Sequence, residues 1–142
     1  MSDVIQTRGA FDLTLAQVQG IPQEIGDAIA CLAEAELEAG RVDTARAILE
    51  GLVVTNHLDP GAWALLSRAH RRLGQPLAAR FCAEVAARLA PADPNVRLAR
   101  AESLLAVPEE REAARAELAG LAEADDPDVV ARARALLGAL PE

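Results

Sequence analysis

Side chains that could perform acid-base, nucleophilic or metal chemistry are few and far apart in this sequence. There are two histidines, His57 and His70, and two cysteines, Cys31 and Cys82. Neither histidine has Cys or carboxylate neighbours at a metal-ligand spacing, and neither belongs to a recognisable nucleophile–base arrangement. The glycines stand singly and form no phosphate-binding loop. The sequence therefore predicts no catalytic residue, no metal, no cofactor and no enzyme, with both histidines in structural roles.

The cysteines and the start of the chain indicate the compartment. Each cysteine stands among apolar residues, which predicts two buried free thiols and no disulfide. The first eight residues lack the basic start and apolar core of a signal peptide, and no apolar run approaches membrane-spanning length. We therefore expect a cytoplasmic protein that does not enter a membrane.

The composition favours helices. About half of the residues (51%) are apolar, mostly Ala and Leu, with two Phe, one Trp and no Tyr. Because β-branched and aromatic residues are scarce, a sheet is disfavoured and an all-α protein is expected. The formal net charge of −8 opposes binding to nucleic acid or to an anionic membrane surface.

A 34-residue interval separates Gly26, Pro60 and Pro94. Between Pro60 and Pro94 the sequence has two apolar stripes of helical period, with Gly74 ending the first helix and Pro76 opening the second. Each unit therefore reads as a helix–turn–helix hairpin. A hairpin repeated at this period is typical of tetratricopeptide repeats, whose hairpins stack into a short right-handed superhelix.

This period divides the chain. We expect an N-terminal tail and a short helix in residues 1–25, followed by a tetratricopeptide-repeat domain in residues 26–140. The repeats span about 26–59, 60–93 and 94–126, and a helix at 127–140 caps the open end. Asp59, Asp93 and Asp126 each precede a proline and are predicted helix N-caps, as is Asp43.

In tetratricopeptide hairpins the first helices line a concave groove, and the repeat register assigns positions to it. Small and aliphatic residues with intervening charges suit an extended peptide that carries apolar anchors. Acids among the basic residues argue against a clamp for a terminal carboxylate. The predicted peptide-binding groove comprises Asp27, Ala30, Cys31, Glu34, Leu37, Ala64, Arg68, Arg71, Asn95, Leu98, Glu102 and Leu105.

Three arginines cluster on the first helix of the middle repeat, the one repeat in which basic residues outnumber acids. They are Arg68, Arg71 and Arg72. Because both flanking repeats are rich in Asp and Glu, we expect these guanidinium groups to form salt bridges with acidic neighbours.

Several stretches resemble one family more closely than a generic repeat. They are GRVDTA at residues 40–45, LVVTNHLD at 52–59, LGQ at 73–75 and AESLL at 101–105, with Trp63 between them. At these separations, and without gaps over roughly residues 26 to 140, the chain resembles the class II (SycD/LcrH-like) chaperones of bacterial type III secretion systems, which hold the translocator proteins.

The resemblance implies a cytoplasmic chaperone that binds an extended segment of a hydrophobic translocator and keeps it soluble before export. It also implies a homodimer formed through the N-terminal helix. Groove aromatics are usual in that family, whereas this chain has no Tyr. Two alternatives stay open: a chaperone of needle-subunit or export-apparatus components of the same system, and a generic tetratricopeptide scaffold between two proteins.

Overall fold

The computed structural model describes residues 13–141, so the first twelve of residues 1–25, where a tail and a short helix are expected, lie outside it. The described chain contains helices and turns and no strand, which confirms the all-α prediction. The helices are α1 (Leu15–Val18), α2 (Gln23–Glu38), α3 (Val42–Thr55), α4 (Pro60–Arg72), α5 (Pro76–Leu89), α6 (Pro94–Leu104), α7 (Arg111–Leu121) and α8 (Pro127–Ala139).

Helices α2 and α3, α4 and α5, and α6 and α7 form three antiparallel hairpins that stack side by side. Gly40 lies in the turn of the first hairpin, and Gly74 lies in the turn of the second. Their φ angles are 84° and 72°, a left-handed conformation that favours glycine. The third hairpin has no glycine at this place. A 3₁₀ turn, Pro108–Glu110, leads directly into α7 instead.

Aspartates begin three of the helices. Asp59, Asp93 and Asp126 each accept a hydrogen bond from a backbone N–H two or three residues further on, at 3.2, 2.9 and 3.0 Å. Such a cap stabilises a helix by about 1 kcal/mol, and the following proline supplies a φ suited to the first turn. The predicted cap at Asp43 is wrong, because α3 begins at Val42 and places Asp43 inside its first turn.

The hydrophobic core follows the stack. One cluster joins α2 to α5, a second joins α6 to α8, and a small-residue cluster beside Trp63 connects them. Alanines with no exposed surface occupy many contacts, because a methyl side chain lets helix axes approach closely. The larger fully buried side chains are Leu37, Leu49, Val96, Leu118, Leu121 and Val129.

Polar side chains reinforce the hairpins locally. The Trp63 indole N–H donates to the His57 carbonyl at 2.8 Å, and the Ser67 hydroxyl donates to the Ala79 carbonyl at 2.7 Å. The Nδ1 atom of His70 lies 2.6 Å from the Gln75 side-chain oxygen. The backbone of His57 and the side chain of His70 thus each join a helix to the neighbouring turn.

The two cysteines differ in exposure. Cys82 is buried in the first core cluster as predicted, and burial raises the pKa of its thiol to about 11. Cys31 is exposed, so its predicted burial is wrong. It lies on α2 beside Ile29 and Leu32, apolar residues that no other part of the described chain covers fully.

Within residues 13–141 no helix combines the length and the apolar character needed to cross a bilayer.

Candidate functional site

Four helices line a groove along one side of the stack. They are α2, α4 and α6, the first helices of the three hairpins, followed by α8, and each packs against the next. The groove encloses about 590 Å³. Its lining consists of small, apolar and charged residues: Glu34, Glu38, Gly61, Ala64, Leu65, Arg68, Asp93, Asn95, Asp126, Asp128, Ala131 and Arg132.

Four of the predicted groove residues lie in this lining: Glu34 on α2, Ala64 and Arg68 on α4, and Asn95 on α6. The other α2 residues lie outside it. Asp27 and Cys31 are exposed, whereas the half-buried Ala30 packs against the first core cluster. Arg71 and Leu105 are half-buried and lie outside the lining as well, Leu105 against the second core cluster.

Leu37 and Leu98 are core residues, and their assignment to the groove surface is wrong. Leu37 has 0% of its surface exposed, and Leu98 has 2%. Leu37 lies one helical turn after the buried Ala33, on the face of α2 that packs into the stack, and Leu98 packs with Leu118. A charge at either position would be buried without a partner and would destabilise the fold, whatever its effect on binding.

Glu102 is also buried, with a side chain 3% exposed, and is held by two arginines. The Arg132 guanidinium donates to its Oε1 atom, and Arg71 approaches its Oε2 atom at 3.7 Å. A buried carboxylate is tolerated in a protein interior when it is paired in this way. Glu102 therefore supports the groove from beneath and joins α8 to α4 and α6.

Arg68 points its guanidinium into the groove. Its side chain is 20% exposed and approaches Glu34 at 3.8 Å, an ion-pair distance too long for a hydrogen bond. Burial, followed by repulsion from Arg132, lowers the pKa of Arg68 from its ordinary value. The expected salt bridges are confirmed for Arg68 and Arg71, but Arg72 instead donates to the Leu37 carbonyl at 2.6 Å.

Sequence reasoning missed the contribution of α8, which was predicted as a cap and lines the groove. The signal was present in the repeat register. If Pro127 is taken as position one of a fourth first helix, positions two and five are Asp128 and Ala131, and both line the groove. Glu38, Leu65, Asp93, Asp126 and Arg132 were missed as well.

A second surface lies at the N-terminal end. Ile25, Ile29 and Leu32 form a stripe on α2, named here the α2 stripe, and are 50%, 37% and 55% exposed. Ile25 and Ile29 also border an apolar hollow of about 430 Å³ beneath α1. Thr14 caps α1 by accepting from the Gln17 backbone N–H at 3.0 Å.

No protein-family model matches the sequence, and no curated protein is significantly similar to it. Solved structures do match. The translocator chaperone SycD of Yersinia enterocolitica aligns with a TM-score of 0.72 at 23% identity, covering 90% of this chain and 98% of that one. A type III secretion complex from Aeromonas hydrophila aligns with a TM-score of 0.73 at 25% identity, covering 96% and 93%.

Structures with bound translocator segments are among the matches. PcrH in complex with the chaperone-binding region of PopD aligns with a TM-score of 0.64 at 24% identity, covering 84% of this chain and 93% of that one. Other matching structures hold SycD with a YopD peptide and PcrH with the corresponding region of PopB. The chain thus has the stacked-hairpin fold of tetratricopeptide-repeat proteins. In particular, it has the fold of type III secretion translocator chaperones, as the sequence resemblance predicted.

Proposed function

We propose that this chain is a cytoplasmic, non-catalytic chaperone of type III secretion. It binds an extended segment of a hydrophobic translocator in the groove and keeps that partner soluble before export. The observation that carries the proposal is the similarity to chaperone structures that hold translocator segments, together with an open groove lined by the first helices of this chain.

The groove has features that an extended segment requires. Gly61 and Ala64 present little side-chain bulk, so a peptide backbone can approach α4 closely, and Leu65 adds an apolar contact. The Arg68 guanidinium and the exposed Asn95 side chain offer donors to the carbonyl groups of a strand that has no sheet partner.

Among the residues predicted from the sequence, we propose that Glu34, Ala64, Arg68 and Asn95 contact the client directly. The exposed Asp27 and Cys31 and the half-buried Ala30 lie on the same helix as Glu34 and form the outer margin of the site. Leu105, Arg71 and Glu102 act from behind the groove by holding its helices in place.

A chaperone of this type shields apolar surface. An exposed apolar segment of a translocator would otherwise associate with other copies, and its burial in the groove prevents this. The formal charge of −8 keeps the carrier, and a complex with it, dispersed in solution.

Co-expression tests the proposal. The translocator encoded beside this chain is produced with and without it, and the soluble fraction and co-purification are measured. We expect the translocator to be soluble only in the complex. Equal solubility of the translocator alone would contradict the chaperone function. Capture of a needle subunit or an export component, with a gain of helical circular dichroism on binding, would favour the alternative client classes.

A matched pair of variants then tests the groove. Arg68→Ala removes a donor in the groove, whereas Arg88→Ala removes an exposed arginine of α5. Loss of a charge-assisted hydrogen bond is worth about 1.5 kcal/mol, so titration calorimetry should show client binding weakened about tenfold for Arg68→Ala. Arg88→Ala should bind like the parent chain, and equal affinity of both variants would exclude Arg68 from the site.

A further inference from the structure

The groove carries an excess of negative charge, although α4, one of the four helices that line it, is basic. Five carboxylates line it, and they face only two guanidinium groups, which leaves a formal charge of −3. The carboxylates are Glu34, Glu38, Asp93, Asp126 and Asp128. Arg132 donates to the buried Glu102 beneath the groove, whereas Arg68 only approaches Glu34 at 3.8 Å and keeps its donors for a bound segment.

Two of these carboxylates form no ion pair within the described residues, although Arg68 interacts with Glu38 over a longer distance. No Arg side chain of residues 13–141 lies within 4.0 Å of Glu38 or Asp128, and both residues are exposed. Asp93 and Asp126 differ from them, since each caps a helix: Asp93 accepts one backbone N–H and Asp126 accepts two. The charge of Glu38 and Asp128 is therefore available to a bound molecule.

The carboxylates stand at the two ends of the row of helices. Glu34 and Glu38 belong to α2, the first wall of the groove, and Asp128 belongs to α8, the last. The uncharged residues Gly61, Ala64 and Leu65 lie between these walls on α4. An occupant that crosses the row meets acids on α2, then small and apolar residues with Arg68 on α4, and then Asp128 beside Arg132 on α8.

We infer that the groove selects a client segment with a net positive charge, in which Lys or Arg residues flank a short stretch of small or aliphatic residues. The inference rests on the proposed chaperone function and adds the chemistry of the client. A segment rich in Asp or Glu is repelled by the walls, whereas basic flanks neutralise them and also accelerate association at low ionic strength.

Peptides that differ only in charge test the inference. An array presents short peptides with Val, Leu, Pro or Ala at the central positions and Lys, Gln or Glu at the flanking positions, and bound protein is measured by fluorescence. We expect the Lys series to bind about tenfold more tightly than the Gln series, and raising NaCl from about 0.05 to about 0.5 M to remove most of this difference.

Matched variants assign the effect to the groove. Glu38→Gln with Asp128→Asn removes two groove carboxylates, whereas Asp43→Asn with Glu112→Gln removes two from α3 and α7, where the side chains are 81% and 88% exposed. Both pairs change the net charge equally. Only the double variant in the groove should lose the roughly tenfold preference for Lys peptides over Gln peptides.

Different results would contradict the charge selectivity and the proposed chaperone function. Equal binding of the Lys, Gln and Glu series, or equal loss of preference in both variant pairs, overturns the charge selectivity and leaves the chaperone function standing. If no series binds in either salt and no translocator co-purifies with the chain, both fall.

Discussion

At the scale of single residues, Cys82 shows how burial changes chemistry. Its side chain is 4% exposed among apolar neighbours, and removal from water raises the pKa of the thiol from 9.0 to about 11, with the nearby Glu50 adding to the shift. The thiol therefore stays protonated and unreactive at neutral pH, whereas Cys31 is open to reagents.

The raised pKa predicts an alkaline loss of stability. In the unfolded chain the thiol ionises near pH 9.0, so above that pH unfolding releases a proton and the free energy of unfolding falls until about pH 11. The fall is about 2 kcal/mol. The sequence has no Lys and no Tyr, so few other side chains titrate in this window.

Urea unfolding near pH 8 and near pH 11 measures this loss. Cys82→Ala should remove most of it, and Cys31→Ala should leave it unchanged. A Cys82→Ala variant that loses as much stability as the parent chain would show that another group is responsible.

Burial of individual side chains also explains why two groove assignments were wrong. The repeat register places Leu37 and Leu98 at groove positions, yet both are fully covered because neighbouring helices close over them. Leucine at these positions gains more from burial in the core than from a solvent-facing site. Repeat position alone does not separate the two environments when neither side chain is polar.

At the scale of elements, α8 acts both as a cap and as a wall. Its apolar face, with Val129 and Ala133, covers the end of the second core cluster. Its opposite side brings Asp128, Ala131 and Arg132 to the groove. The pairing of Arg132 with the buried Glu102 fixes α8 against α6.

This pairing predicts a specific effect of Arg132→Ala. Loss of one of the two partners of a buried carboxylate should lower the free energy of unfolding by about 2 kcal/mol and speed amide hydrogen exchange in α8 more than in α4. Arg134→Ala is the matched control on the same helix, because Arg134 donates only to the Ala122 carbonyl at 3.3 Å. Equal protection of α8 in the two variants would mean that the ion pair does not hold this helix.

For the molecule as a whole, the main feature of the N-terminal end is that it exposes several large apolar side chains to solvent. The α2 stripe is exposed there, and so are Leu15 and Val18 of α1, at 42% and 69%. Exposed apolar side chains grouped along one helix face, as in the α2 stripe, are typical of an interface between proteins. The homodimer expected from the resemblance would cover it.

We therefore expect the chain to self-associate through the α2 stripe. Ile29→Asp with Leu32→Asp should shift sedimentation equilibrium to the monomer, because a dimer would bury both carboxylates. Leu77→Asp should leave the association unchanged, since Leu77 is 86% exposed on α5, away from the stripe. A parent chain that sediments as a monomer at every concentration would contradict this expectation.

The amino-acid sequence determined the helices of this protein, because their signals are local. Helices begin at the Asp-Pro steps and end before Gly40 and Gly74. Each of these signals acts on the backbone within a few residues, so it has the same effect in any hairpin. The all-α class and the stacked hairpins follow from these signals and from the 34-residue period. The division into repeats at 26–59, 60–93 and 94–126 stays a prediction.

The tertiary structure decided which side of each helix is covered. On α2, Leu37 is buried while Ile29 and Leu32 remain open, although all three are aliphatic and recur at helical spacing. That difference in burial depends on the positions of α3 and α4, which cover one face of α2 and leave another face exposed. In the same way, the closure of the groove by α8 depends on the meeting of Arg132 with Glu102, thirty positions apart, which no local pattern encodes.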